Sequence, residues 1–295
     1  MKELGFKESF ALVALNGLDP DQMTTAKRIA LRSIAAAEII EKYLDAPQNG
    51  LPVKELKNIW KISVLKLKKE EKKLTAALSD RGLLRKVPSL ICCDMMYFTG
   101  AVDIFEYCSD ETEYLRLRES MRAELLEDGE VSDETVCLWW LFRESGCFYD
   151  FFSKDERERV ALRLSEIYRA SALAKTLFSV SIQRPWNVLV NKYLKKKKEI
   201  FSTKLGNGFL FVFPYFERSE SIFIDMEKWF SNSTDRLNDV LARLNKKGIQ
   251  AEVVAIGSGS VIKVRNICYE CVPATMQCQY PIQGIRLRRY VLIMS

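Results

Sequence analysis

Cys268, Cys271 and Cys278 form the one cysteine cluster whose spacing suits a metal or a redox pair. A structural zinc takes about four nitrogen or sulfur ligands, and the chain has no histidine to complete the set. If 268–271 is extended, the Cys268 and Cys271 thiols point to opposite faces of the strand. Free, buried or half-buried thiols are the expectation, with no metal and no cofactor. The missing histidine also removes Ser-His-Asp and Cys-His catalysis, leaving acid–base work to carboxylates, Lys, Tyr or Cys. No nucleophile–base pair stands out among these. Asp155/Glu156 and Glu127/Asp128 sit at helix starts or turns, where capping accounts for the first pair. An enzyme is the weakest of the readings, and a binding or scaffold protein is expected.

Phosphate chemistry has two further candidates. Gly257-Ser258-Gly259-Ser260 resembles a phosphate loop, but a dinucleotide loop must open a helix, whereas Val261–Val264 reads as a strand. A hairpin turn is the expectation. Lys66, Lys68, Lys69, Lys72 and Lys73 crowd one helix with Glu70 and Glu71 between them, and Arg81, Arg85 and Lys86 continue the basic character. Such a run is either a solvated face or a surface for phospholipid headgroups or nucleic-acid phosphate. Lys192 and Lys195–Lys198 pose the same choice. Arg286, Arg288 and Tyr290 share one strand face, with Arg289 on the other.

The elements that position these residues follow from periodicity and punctuation. The chain has 295 residues, 48% of them hydrophobic, 28% charged, and a net charge of +6, so it holds an ordinary core and a mild global charge. Neither a membrane span nor a signal peptide is visible, and eight dilute cysteines suit a reducing cytoplasm. Phe10–Leu15 is apolar, and Asp19-Pro20-Asp21-Gln22 reads as a helix start leading to about Leu44. Arg32 sits beside the small apolar stretch Ser33–Ala37. Val53 to Asp80 is amphipathic, as two helices, stopped at Arg81-Gly82. Part of 83–107 reads as a β-hairpin. Helices return over Asp110–Leu126, from Ser132 to Glu144, and from the capping box Ser153-Lys154-Asp155-Glu156. Phe209–Phe213, Ala251–Ile256, Val261–Ile267 and Ile285–Ile293 read as strands, and Ser233–Lys247 as a helix stopped by Gly248.

Several segments in order resemble a known family. They are Phe10–Leu15 before a turn, Ala30-Leu31-Arg32-Ser33 through Ile40, Leu74 to Leu84 with Ser79-Asp80-Arg81-Gly82, and Asp133-Glu134-Thr135 through Arg159. Over roughly residues 8–180 the chain resembles the Golgi phosphoprotein 3-like family in a prokaryote-type version. The resemblance implies a mainly helical fold with a protruding hairpin, near residues 88–98, that contacts membrane and self-associates. It also implies headgroup contacts. Arg32 falls where the family has a headgroup arginine, and Lys68 and Lys72 fall near further basic positions.

The resulting expectation is a mainly α protein: a helical domain over 1–185 with a β-hairpin, a basic linker at 186–207, and a small α+β domain over 208–295. Arg32, Lys68, Lys72 and Arg81 are the candidate anion contacts. Ile91, Met95, Met96, Tyr97 and Phe98 are the candidate membrane or self-association hairpin. The expected partner is an anionic lipid headgroup at a membrane periphery, with a homo-oligomer as a further expectation. The alternative is a winged-helix-like nucleic-acid-binding regulator, with helices and a hairpin wing over 53–100 and a C-terminal sensing or assembly domain.

Overall fold

A computed structural model describes residues 4–95, 104–127, 129–182, 222–226, 232–257, 259–277 and 280–291. The helical part runs α1 (Phe6–Leu15), α2 (Thr25–Asp45), α3 (Val53–Asn58) and α4 (Val64–Asp80). A two-stranded antiparallel hairpin follows, β1 (Leu84–Pro88) with β2 (Phe105–Ser109). Then come α5 (Glu111–Leu126), α6 (Asp133–Ser145), α7 (Phe148–Phe151), α8 (Lys154–Ala170) and α9 (Ala172–Phe178). The C-terminal part holds β3 (Ile222–Asp225), α10 (Ser233–Lys246), β4 (Glu252–Ala255), β5 (Ser260–Val264), β6 (Ile267–Gln277) and β7 (Pro281–Tyr290). Its five strands form an antiparallel sheet in the order β3-β7-β6-β5-β4.

The mainly α expectation is therefore corrected. Of the described residues 58% are helical and 19% lie in strands, in two antiparallel sheets, which is a mixed α+β fold. The difference arises largely in β6, which runs on to Gln277, and in the 281–284 start of β7, which lies before the expected strand at Ile285; the two strands pair along nearly their whole length. Polar residues, Pro273 and Gly284 interrupt these two segments, so their apolar alternation is weak in sequence. The expected linker at 186–207, its lysines and the expected strand Phe209–Phe213 lie outside the described residues.

Helix starts and stops obey local chemistry. The α2 start is not Asp19: Thr24 caps it by accepting the Lys27 N–H at 3.2 Å. Asp19 instead closes a turn, accepting from the Asp21 and Gln22 N–H groups. Ser63 caps α4 and Ser132 caps α6. Gly82, at φ 73°, follows the end of α4 as expected. Ser153 and Glu156 form the capping box of α8.

Two cores result. The larger packs α1, the small-residue face of α2 (Ser33, Ala36 and Ala37, fully buried) and the aromatic group Trp139, Trp140, Phe142, Phe151 and Phe152. The smaller sits between the five-stranded sheet and α10 through Leu237, Val240 and Leu244. Leu90 and Cys93, from the far side of the chain, complete it.

In the larger core Glu156 is buried and accepts from Arg122 at 2.5 and 3.0 Å. Burial pushes its carboxyl up, but the Arg122 guanidinium and the Ser153 backbone outweigh burial and hold it below the ordinary carboxylate range. A depressed folded-state pKa gives stability that is full above the unfolded value and lost as pH falls through the folded one. Glu156→Gln is expected to destabilise the protein at neutral pH, the gap to wild type narrowing as the pH falls below the ordinary carboxylate range. Urea melts across pH check this; a gap that persists in acid contradicts it.

Candidate nucleic-acid interface

α3, the turn after it, α4 and the β1–β2 hairpin form one continuous unit. Leu56 of α3 and Ile59 of the following 3-10 turn are buried and anchor the short helix. α4 buries Leu67, Glu71 and Leu78, with Leu74 half-buried, a stripe at i, i+4, i+7 and i+11. Its opposite stripe is Leu65, Lys69, Lys72 and Ala76, all exposed. Lys66, Lys68 and Lys73 flank that stripe and are exposed too, whereas Glu70 is the one exposed acid between them. Leu65 stands out at 81% exposure among these lysines.

The inward Glu71 explains how this helix is held. Its carboxylate pairs with the Lys27 ammonium of α2 at 2.7 Å, with the two side chains 7% and 1% exposed. It also accepts the Tyr107 hydroxyl of β2 at 2.9 Å. Lys27 donates in addition to the Pro20 carbonyl at 2.6 Å. Burial first, then the Glu71 carboxylate, push the Tyr107 hydroxyl well above its ordinary range. One buried polar network thus joins α2, α4 and the hairpin.

The hairpin carries Arg85 and Lys86, both exposed, on β1. Lys86 pairs with Asp21 at 2.8 Å and lies over the Phe105 ring. The hairpin is larger than expected, with strands at 84–88 and 105–109 rather than within 88–98. The apolar run Leu90–Cys93 is a 3-10 turn capped by Ser89, because Leu90 and Cys93 are drawn into the C-terminal core. Ile91 and Met95 are half-buried beside it. Met96, Tyr97 and Phe98 lie outside the described residues.

The C-terminal sheet clamps this hairpin. Arg265, left-handed at φ 58° in the β5–β6 turn, pairs with Glu106 of β2 and donates to the Pro88 carbonyl of β1, each at 2.5 Å. Asn266 donates to the Asn16 side chain and to the Ser109 carbonyl. Lys263 pairs with Glu111, and Arg289 with Asp150 at 3.3 Å. Gly17, at φ 76°, makes room for Arg289: a Cβ there would lie 2.6 Å from its guanidinium.

The four anion contacts expected from sequence are not one solvent-facing set. Lys68 and Lys72 are exposed on α4, but Arg32 is 6% exposed within α2. Arg81 pairs with Glu8 at 2.6 Å. Arg286 and Arg288 share the expected face with Glu270 opposite Arg288, and both are half-buried; Arg286 lies over the Phe223 ring. Cys268 and Cys271 do face opposite sides of β6, and burial pushes both thiols up, Cys271 to about 12. Sequence reasoning missed Lys27, whose position one turn into a helix reads as solvated until Glu71 and Pro20 are seen around it.

Among the described residues no helix is long and apolar enough to cross a membrane. No family model matches the chain, and neither a curated protein nor a solved structure matches it.

Proposed function

We propose that this chain binds duplex nucleic acid through a winged-helix unit, with α4 as the helix that enters the groove and β1–β2 as the wing. The observation that carries the reading is the outer face of α4: five exposed lysines around Leu65, on a helix preceded by a short helix and turn and followed at once by a hairpin bearing Arg85 and Lys86. A helix with its side chains is about 10–12 Å across, which matches the roughly 12 Å major groove of B-form DNA. The lysines neutralise phosphate and set orientation, while Leu65 offers an apolar contact of the kind thymine methyls accept.

The α+β part acts as a brace in this reading. Arg265 and Asn266 fix the wing's strands from behind, and the Lys27–Glu71–Tyr107 network fixes the groove helix against them. The setting that goes with it is the cytoplasm, where free thiols stay reduced. Binding needs no cofactor on this account.

The test is fluorescence anisotropy with a labelled random-sequence duplex, run beside flotation on vesicles of anionic phospholipid. Duplex binding that competitor DNA removes, without vesicle binding, is the expected result. Vesicle binding without duplex binding would turn the same lysines over to a lipid headgroup and end the nucleic-acid reading.

A further inference from the structure

We infer, resting on the duplex reading of α4, that the ligand is B-form DNA held by its phosphates, with no base code beyond a bias toward the thymine methyl. The lysines of α4 stand in two rows. At about 100° per residue, Lys66, Lys69 and Lys73 fall on one side of the Leu65 direction, and Lys68 and Lys72 on the other. All five are exposed. Between the rows runs an apolar seam: Leu65, 81% exposed, and the exposed Ala76 about three turns further on.

Two rows with a seam between them suit a groove. The major groove is walled by two phosphate backbones, and the base edges form its floor. With the seam toward the floor, each lysine row faces one backbone. An ammonium is a compact charge on a flexible stem, so it meets phosphate at any step of the duplex, and phosphate carries no sequence information.

The seam brings neither donor nor acceptor to the base edges. Bidentate readout of adenine needs Asn or Gln, and the planar fork that fixes guanine belongs to Arg; α4 has none of the three. Thr75 is half-buried, and its hydroxyl donates back to the Lys72 carbonyl at 3.4 Å. Glu70 lies about 100° round the helix from Lys69, on the half-buried Leu74 side. Arg85 belongs to β1, outside the groove helix. What the seam gains is apolar contact, and the thymine C5 methyl is the apolar feature of the groove floor. Burying one methyl is worth about fourfold in affinity. Duplex RNA fits poorly, because its major groove is deep and narrow and its uracil lacks the methyl.

Selection of a sequence-randomised DNA duplex library on the full chain, followed by anisotropy on the recovered duplexes, tests this. No fixed motif is expected to emerge, and affinities are expected to stay within about tenfold, against the roughly 1,000-fold or more of sequence-specific binders. Replacing thymine by deoxyuridine in one duplex is expected to weaken binding about fourfold. Leu65→Ser is expected to remove most of that difference with circular dichroism unchanged, since the side chain is exposed. An RNA duplex of the same sequence is expected to bind at least about tenfold more weakly at equal salt. One enriched motif, RNA bound as tightly as DNA, or equal affinity for thymine and uracil duplexes would each overturn the inference and leave duplex binding by α4 in place. No binding to any duplex would end that reading and this inference with it.

Discussion

Replacing Lys27 by methionine is expected to lower the free energy of unfolding by about 3–5 kcal/mol, the range found when one partner of a buried ion pair is removed. Methionine keeps most of the side-chain volume, so little of the loss comes from a cavity. It comes from Glu71, left 6% exposed with only the Tyr107 hydroxyl against its charge, and from the Pro20 carbonyl, which loses its donor. The double variant Lys27→Met with Glu71→Leu is expected to recover much of the loss, because it removes both charges from the apolar interior. Urea denaturation of wild type, both single variants and the double variant measures the coupling. Additive single-variant losses would mean that the pair does not tie α2 to α4.

The second large effect concerns binding. Changing Lys69, Lys72 and Lys73 to glutamate is expected to reduce duplex affinity by at least about 100-fold near physiological salt, since every phosphate left without its lysine keeps its condensed counterions. All three side chains are exposed, so the melting transition is expected to stay close to that of wild type. Charge reversal of Lys42, also exposed but on α2, is the control and is expected to leave affinity nearly unchanged. Equal losses from both substitutions would show a diffuse charge effect rather than an α4 interface.

Much of α4 and its basic face is legible in the sequence, because both are built from local signals. The amphipathic run from Val53 to Asp80 and the stop at Arg81-Gly82 mark the end of α4 with no tertiary information, whereas its start, capped by Ser63, shows only in the structure. The basic face of that helix reads as easily. The weight placed on Arg32 does not survive folding as a surface contact, since a residue on α2 among Ser33, Ala36 and Ala37 goes where those small side chains pack. Periodicity reports which face is apolar but not which distant element covers it. Lys27 finding Glu71, Asn16 finding Asn266, and Leu90 leaving the hairpin for the sheet core are all partnerships across long stretches of chain. Arg265 is a further case: its left-handed conformation belongs to the two-residue turn between β5 and β6, and its side chain is committed to Glu106. The strand content is hidden for a related reason: Ile285 onward reads as a strand, but residues 268–277 of β6 and 281–284 of β7 carry Glu270, Pro273 and Gly284 in place of a clean apolar alternation, and the mainly α expectation fails there.

The central claim is that α4 and the wing present a phosphate-binding face to a duplex. The salt dependence of duplex affinity tests it most directly. With five α4 lysines engaged, log Kd against log salt is expected to rise with a slope of about 4.5, at roughly 0.9 per neutralised phosphate. Each Lys→Gln substitution at Lys66, Lys69 or Lys72 is expected to lower that slope by about one. A slope near zero, or one that these substitutions leave unchanged, would contradict the account.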